Sequence, residues 1–490
     1  MSYQDLLDAI KQNQIKVDEK RLRTVYDFAA AAHEGQLRQT GDAYITHPLS
    51  VAEILAGWHQ PQPVIEAALL HDVAEDTDHT LAEIASLFGE EVATLVDGVT
   101  KISRVKLRGS TNAVFVENLR KMFVAMARDI RVILIRLADR FHNMQTLEAV
   151  PISKQKRIAK ETLEVYAPLA ERLGMGQLKG DLEDLAFPYV YPTEYAWLMQ
   201  IAKPHFSRAA KITSQATNLI KNKLNQHQLD LEVSGRPKRK YSLFRKLNRP
   251  EIDGDLGKIH DLVALRIITE SKMDCYAALG LVHDLWQPVP HIGISDFIAQ
   301  PKPNGYQSIH TKVFDRHKHI IEIQIRTRAM HEQAEYGAAA HTHYSAAKET
   351  GASDEKLEKG TAFTVKEKMD WIKELANWQR EVENSEEYVQ SLKLDALSER
   401  IYVFSPHGDV YDLPKDATPV DFAFAVHSDL GNHIQGAKVN QKIAPLSYQL
   451  KSGDLVEIIK SKEKHLPNRD WLQFIKTSKA RGKITKLNRY

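Results

Sequence analysis

Apolar residues in the first third of the chain recur at spacings of three and four. The pattern runs over Val17–Ala32, Pro48–Trp58, Gln62–Glu75, Leu81–Leu87, Val114–Met126 and Ser153–Leu173. That period belongs to amphipathic helices. Ala, Leu, Glu and Arg dominate these stretches, and strand-like alternation is nearly absent. Residues 1–195 therefore read as an all-helical domain. The pattern changes after about Asp230. LEVSGRPKRK, LVALRIIT, YQSIHTKVF and HIIEIQIRT are short and rich in β-branched residues, with helical stretches at Met273–Trp286 and Arg328–Tyr344. This predicts an α/β domain with a mixed sheet over 196–345. Residues 346–363 are polar and linker-like, and a helix carrying Trp371, Leu375 and Trp378 follows, so 346–398 reads as linker and helix. The brief strands IYVFSP, 408–413, GAKVN and GDLVEIIK, with the helix PVDFAFAVH among them, predict a small β-grasp domain over 399–461. A basic helical tail occupies 462–490, with six Lys/Arg between Trp471 and Tyr490.

Composition narrows the class. The 490 residues carry 66 Lys+Arg and 64 Asp+Glu, a formal charge of +2. That argues against both acidic disorder and a uniformly basic nucleic-acid binder. A single cysteine, Cys275, excludes a disulfide framework and a multi-cysteine zinc site. The N-terminus is polar, without the apolar core of a signal peptide, and no stretch approaches the roughly 20 apolar residues that span a bilayer. A cytoplasmic protein with no membrane contact is expected.

Two constellations carry chemistry. In the helical third, His47 precedes Pro48, His71-Asp72 lies in ALLHDVAEDT, and Asp139 lies in IRLADRFHNM. A lone His-Asp pair is weak, since most are a surface pair. Two imidazoles and two carboxylates together suit a borderline divalent ion such as Mn or Fe(II). In a helix His71 and Glu75 are four apart, as are Asp72 and Asp76, so H-D-x-x-E-D aims four polar groups at one side. Burying such a set is costly without a cation. Phosphohydrolysis is the natural chemistry, with Glu75 and Asp76 as proton-transfer groups and Arg38 facing substrate phosphate.

In the α/β domain, GRPKRKYSLFRKLNR places seven Lys/Arg between Arg236 and Arg249, with Tyr241 and Phe244 interleaved. An RNA-binding patch and a polyphosphate cradle both fit. In HIIEIQIRT, Ile321, Ile323 and Ile325 alternate with Glu322, Gln324 and Arg326, and in the preceding strand Tyr306, Ser308, His310 and Lys312 share a face. A hairpin through 315–318 joins the two strands. That polar face is either an exposed sheet surface with cross-strand ion pairs or a nucleotide site. In the second reading Tyr306 stacks on a base, Glu322 is a general base or metal ligand, and Asp261 holds Mg²⁺ against phosphates.

Together these segments resemble the long RelA/SpoT homologue family, which makes and degrades the alarmone (p)ppGpp. YITHPLSVAEILA, LLHDVAEDT, LADRFHNMQTL and ETLEVYAPLAERLGM are similar to its HD-type hydrolase domain. GRPKRKYSLFRKL, HDLVALRI, PKPNGYQSIHT, IEIQIRT and MHEQAEYGAAAH are similar to its synthetase domain, and IYVFSPHGDVYDLPKDATPVDFAFAVHSDLG to its TGS domain.

The resemblance implies two opposed reactions. One transfers pyrophosphate from ATP to the 3′-hydroxyl of GDP or GTP, releasing AMP; the other hydrolyses (p)ppGpp. It implies Mn²⁺ on His47, His71, Asp72 and Asp139, with Arg38 and Asn143 on the nucleotide. It implies Mg²⁺ on Asp261 and Glu322, Arg236 and Arg266 about the adenine, and Lys238 and Lys246 on the ATP phosphates. Tyr306 would stack on guanine, beside Lys302, Asn304 and His310, with Gln324 on the same face. Deacylated tRNA or the ribosome would be partners through the TGS domain and the basic tail.

Relatives carry R-x-K-D or E-x-D-D before PKxNGYQS, where this chain reads Gly293-Ile294-Ser295-Asp296. One alternative follows, a hydrolase with a weakened synthetase; the TGS-like region and basic tail suggest another, a tRNA- or ribosome-binding stress sensor. Long relatives also continue into regulatory modules past RDWLQFIKTSKAR, and the sequence stops at Tyr490.

Overall fold

A computed structural model describes residues 2–103, 128–340 and 400–487, save 228, 230, 237, 251, 260, 261, 291–293, 303, 304, 338 and 462–466. It forms two compact units, residues 1–376 and 377–490. The helix expected over 114–126 and the helix around Trp371–Trp378 lie outside the described residues.

The first unit opens with helices α1 (Tyr3–Gln12), α2 (Glu19–Ala32), α3 (Thr46–Gly57), α4 (Gln62–Leu70), α5 (Val73–Asp76), α6 (Leu81–Phe88), α7 (Glu90–Ser103) and α8 (Ile130–Gln145). Side-chain caps start several of them: Ser2 and Asp5 form a reciprocal box on α1, and Asp18, Thr80 and Asp129 cap α2, α6 and α8. Helix α4 is apolar on every side, and Val64 to Leu70 are all buried. It accordingly occupies the core, between α2, α3 and α7. Its one carboxylate, Glu66, is buried but satisfied by Arg21, whose Nε and Nη2 donate at 2.7 and 2.8 Å.

Two stretches expected as single helices are divided. Gln62–Glu75 breaks after Leu70, where the Ala68 carbonyl accepts His71 Nδ1 at 2.7 Å, and resumes as α5. Ser153–Leu173 becomes α9 (Ile152–Glu161), a π-helical turn at Thr162–Tyr166, and α10 (Ala167–Arg172). The π turn sets the Tyr166 ring under the Arg140 guanidinium, 4.2 Å from the ring centroid.

Helices α11 (Gly176–Val190) and α12 (Pro192–Gln226) lead into the α/β part. Its strands are β1 (Glu232–Gly235), β2 (Ala264–Thr269), β3 (Ser295–Asp296), β4 (Ile309–Phe314) and β5 (Ile320–Thr327), in the order β1-β2-β5-β4-β3. The sheet is mixed, because β2 pairs parallel to β5 while the other pairs are antiparallel. Helices α13 (Lys240–Leu247), α14 (Lys272–Leu285) and α15 (Arg328–Tyr336) complete it. One face packs on α12 and α14, where Ile220, Leu224, Ala278 and Val282 meet Leu265, Ile267, Ile321, Ile323 and Ile325. That leaves the even-numbered side chains of β2, β4 and β5 on the opposite face.

The second unit holds β6 (Arg400–Phe404), β7 (Val410–Pro414), α16 (Pro419–Val426), α17 (Ser428–Gly431), β8 (Ile434–Val439), β9 (Lys442–Ala444) and β10 (Val456–Lys460). β10-β8-β9 form one sheet and β6-β7 a hairpin, joined through a parallel bridge between Phe404 and Leu455. The basic tail is part of this unit. Its helix α18 (Ser478–Leu487) buries Ala480 and Ile484, with Ile475, against Val420, Ala423 and Phe424 of α16. Buried Asp421 fastens the two: it accepts from Thr418 N and Oγ1, Lys476 N, and Thr477 N and Oγ1 at 2.7–3.1 Å. Asp421→Ala would strand those donors. It is expected to destabilise this unit by about 3 kcal/mol, read as a lowered urea midpoint by Trp471 fluorescence. An unchanged midpoint would contradict that role.

Candidate active sites

The helix break at residue 71 places the first constellation. His47 starts α3, His71 follows α4, Asp72 precedes α5, and Asp139 comes from the buried side of α8. Ligand atoms of His47, His71 and Asp139 lie within 4.8 Å of one another, and all three residues are buried. His47 Nε2 is 3.3 Å from Asp139 Oδ1 and 3.7 Å from Asp72 Oδ2, and His71 Nε2 is 3.2 Å from Asp72 Oδ1. Because His71 Nδ1 is committed to the Ala68 carbonyl, Nε2 turns inward, buried and without a hydrogen bond. Such an atom beside two carboxylates fits a divalent cation.

A surrounding shell holds this set. Arg136 Nη1 donates to Asp139 Oδ2 at 3.0 Å, and Asn143 Nδ2 to Asp139 Oδ1 at 2.5 Å. Arg38 Nη2 in turn donates to Asn143 Oδ1 at 3.1 Å. Burial alone would raise the Asp139 carboxyl, but the His47 hydrogen bond and the Arg136 guanidinium hold it well below the usual range. His47 is pushed down by burial. Its Nδ1 lies 2.8 Å from His142 Nδ1, and burial, followed by the charges of His47 and Arg38, lowers His142 to about 4. A neutral His142 can accept from His47 Nδ1; in that tautomer His47 Nε2 gives up its hydrogen bond to Asp139 and offers a lone pair to a cation instead.

Three members of this shell escaped the sequence reading: Tyr44, Arg136 and His142. His142 stands three residues after Asp139, a helical spacing that would have flagged it. Tyr44 Oη lies 2.9 Å from Asp72 Oδ2 and 2.8 Å from Asp76 Oδ2. Burial, then the charges of Asp72 and Asp76, raise its phenol, so it keeps its proton. Glu75 and Asp76 both lie on α5.

The second constellation lies on the face of the mixed sheet opposite α12 and α14. Register places Arg266 and His310 on either side of Gln324, and Ala264 and Lys312 on either side of Glu322. Gln324 Nε2 donates to Glu322 Oε1 at 3.1 Å, and His310 Nδ1 is 3.8 Å from the same oxygen. Tyr306 Oη and His310 Nε2 are 2.8 Å apart. Lys302 Nζ sits 5.3 Å from the Tyr306 ring centroid and 4.5 Å from that of Phe297. Burial lowers the Lys302 ammonium. Arg236, whose N–H extends the β1–β2 pairing to the Ala264 carbonyl, is exposed, and Lys238 and Lys246 are half-buried.

Several expectations need correction. β2 starts at Ala264, so LVALRIIT is not strand throughout; Asp261 and Asn304 lie outside the described residues. Ser308 does not share the face of His310. It precedes β4, is fully buried, and donates to the Ile325 carbonyl at 3.1 Å. Nor is the polar face open along its length. Arg326 is buried under α15, donating to His331 Nδ1 and Glu335 Oε1 at 2.7 Å each, and Glu335 also holds Arg266 at 3.0 Å. The aromatics of the basic run are half-buried against the core: Tyr241 and Phe244 pack on Phe187 and Tyr191. Arg239 pairs with Asp181, and Tyr241 N donates to Asp184 at 2.9 Å, so the run is partly consumed by α11. This removes the stacking residues that an RNA patch would need.

Burial holds His310 and His331 down to about 4, with Arg326 adding to both and Lys302 and Arg236 to His310; Glu322 and Glu335 oppose it. Unfolded histidine titrates near 6.5. Between the two values the unfolded chain binds more protons, so stability falls as pH drops from about 6.5 toward 4. A lower urea midpoint at pH 5 than at pH 7.5 is expected for the first unit. Equal midpoints would show these imidazoles to be solvated.

Three protein families match parts of the chain. An HD domain family matches residues 26–176, the region found in RelA/SpoT proteins matches 235–349, and a TGS domain matches 401–460. A GTP pyrophosphokinase of Myxococcus xanthus is 46% identical over 465 residues, covering 94% of this chain and 59% of the relative. The bifunctional (p)ppGpp synthase/hydrolase SpoT of Escherichia coli K12 is 43% identical over 468 residues, covering 96% and 64%. The chain thus spans about three fifths of the length of the curated relatives it matches. A solved small alarmone synthetase of Bacillus subtilis bound to its product pppGpp is 20% identical, aligning 37% of this chain with 96% of that one at a TM-score of 0.25, too slight a likeness to carry an argument. Fold and matches define a multidomain protein that joins a helical HD domain, a mixed-sheet synthetase-type domain and a β-grasp TGS domain. The chain belongs to the RelA/SpoT homologue family.

Proposed function

We propose that the chain is a bifunctional alarmone enzyme. In one reaction the 3′-hydroxyl of GDP or GTP attacks the β-phosphorus of ATP. The bond to the α-phosphate oxygen breaks, AMP leaves, and (p)ppGpp forms. In the other, water splits the 3′-pyrophosphate from (p)ppGpp and restores GDP or GTP. The observation that carries this reading is the coexistence, in one compact unit, of the His47/His71/Asp139 cluster with a polar sheet face centred on Glu322.

In the hydrolase site His47, His71, Asp72 and Asp139 would hold the ion, taken as Mn²⁺. The ion would polarise a phosphoryl oxygen and acidify water. Glu75 and Asp76 move protons, and Arg38 and Asn143, already joined to each other, present polar groups to the nucleotide. In the synthetase site Glu322 takes the 3′-hydroxyl proton and, with Asp261, would hold Mg²⁺. Arg236 and Arg266 flank the adenine, with Glu335 orienting Arg266. Lys238 and Lys246 meet the ATP phosphates. Tyr306 stacks on guanine, with Lys302, Asn304, His310 and Gln324 around it. Deacylated tRNA or the ribosome is the partner proposed for the TGS unit, and the cytoplasm the compartment. Among the described residues no helix is long and apolar enough to cross a membrane.

One observation favours a hydrolase with a weakened synthetase. Asp296, of the Gly293–Asp296 segment, spends its carboxylate on Tyr276 Oη and on the N–H groups of Ile298 and Ala299. One experiment separates the readings. The purified chain is incubated with ATP and GDP, and separately with ppGpp, with Mn²⁺ or Mg²⁺, and the nucleotides are chromatographed. AMP with ppGpp in the first tube and GDP in the second is expected. GDP alone would select the weakened synthetase, and neither product would overturn the proposal.

A further inference from the structure

Resting on the hydrolase reading, we infer that Tyr44 is a positioning residue that donates its phenolic proton to Asp76 and holds that carboxylate for proton transfer once a divalent ion engages Asp72. The phenol has a single proton. Two carboxylate oxygens compete for it, Asp72 Oδ2 at 2.9 Å and Asp76 Oδ2 at 2.8 Å. Asp72 and Asp76 are joined through the backbone, Asp76 N donating to the Asp72 carbonyl at 2.8 Å, so neither can withdraw far. A cation drawing on Asp72 ends the competition in favour of Asp76.

The rest of the loop is built to keep the ring there. Residues 36–44 form a small hairpin: Leu37 pairs with Ala43, Arg38 N donates to the Asp42 carbonyl at 2.8 Å, and Tyr44 N to the Gln36 carbonyl at 3.0 Å. The Tyr44 ring stacks on His33 at 4.5 Å and 22°, and the Arg38 guanidinium lies 5.8 Å from its centroid. Gln36 touches both neighbours, meeting His33 Nδ1 at 2.9 Å and donating to the Asp76 carbonyl at 3.0 Å. The hairpin that delivers Arg38 thus holds Asp76 by its main chain and its side chain together.

Tyr44→Phe in the full chain tests this, because it keeps the ring and removes only the O–H. The expected result is a kcat for ppGpp hydrolysis about 10- to 100-fold lower, the range found for outer-shell partners of metal sites. KM should hold within about twofold, Mn²⁺ affinity by calorimetry without nucleotide within about threefold, and pyrophosphoryl transfer should be unchanged. In a double-mutant cycle, Tyr44→Phe/Asp76→Asn should be no slower than Asp76→Asn alone, since coupled groups are not additive. A parent kcat, or losses that multiply, would overturn the inference. So would a loss recovered at saturating Mn²⁺, which would put the hydroxyl on Asp72. A parent chain that fails to hydrolyse ppGpp would instead count against the hydrolase reading itself.

Discussion

Glu322→Gln is expected to abolish pyrophosphoryl transfer from ATP while leaving (p)ppGpp hydrolysis at the parent rate. Glu322 sits near the start of β5, between Ala264 and Lys312, with Ile321 and Ile323 driven into the core on either side. Its side chain therefore faces the polar side, 15% exposed, where His310, Gln324 and Tyr306 converge. Glutamine has the same shape and can still accept from Gln324, so the fold should be unaffected. What it lacks is a site for the 3′-hydroxyl proton and a charge for Mg²⁺. General bases contribute about 10²- to 10⁴-fold, and the lost metal contact adds to that. AMP release from ATP and GDP should therefore fall by at least about 10³-fold. AMP release at the parent rate would sink the assignment of Glu322.

The strand that carries Glu322 was legible because its period-two pattern has no competing reading: three isoleucines alternate with Glu, Gln and Arg. The same rule failed at Ser308. Parity placed it beside His310, but the chain enters β4 only at Ile309, and the hydroxyl turns to the Ile325 carbonyl. Parity has meaning only inside a regular strand, and strand ends leave no mark in the pattern. The residues proposed to hold the cation stood out by residue type, and three of them, His47, His71 and Asp139, come together. Their shell did not, because Tyr44 lies in a hairpin without periodicity and reaches Asp72 across 28 residues. Asp421 shows the same limit. Its box with Thr418 is a local signal, but its bonds to Lys476 and Thr477 span more than fifty residues. The basic run left an RNA patch and a polyphosphate cradle both open, because charge count does not show that Arg239 pairs with Asp181 or that the interleaved aromatics pack on Phe187.

His71→Ala should produce the reciprocal phenotype, loss of hydrolysis with transfer intact. The imidazole is buried, with Nδ1 on the Ala68 carbonyl and Nε2 facing Asp72 at 3.2 Å. Removing it costs the fold one hydrogen bond of about 1 kcal/mol and leaves a cavity where the buried ring stood. For the ion the cost is larger. Outer-shell substitutions weaken metal affinity or activity by about 10- to 100-fold, and a direct ligand should exceed that range. The three remaining groups, His47, Asp72 and Asp139, would keep the negative charge but lose one of the cluster's two imidazole donors. Calorimetric titration should show Mn²⁺ binding weakened by more than about 100-fold, with ppGpp hydrolysis falling in step at fixed Mn²⁺. AMP release from ATP and GDP serves as the internal control for folding, since Glu322 and its neighbours belong to the same compact unit. If Mn²⁺ binding and hydrolysis both survive His71→Ala, the cation does not sit in this cluster. If transfer is lost along with hydrolysis while the urea midpoint of the first unit stays at the parent value, the two sites are not separable by residue, and Glu322→Gln should then also slow hydrolysis.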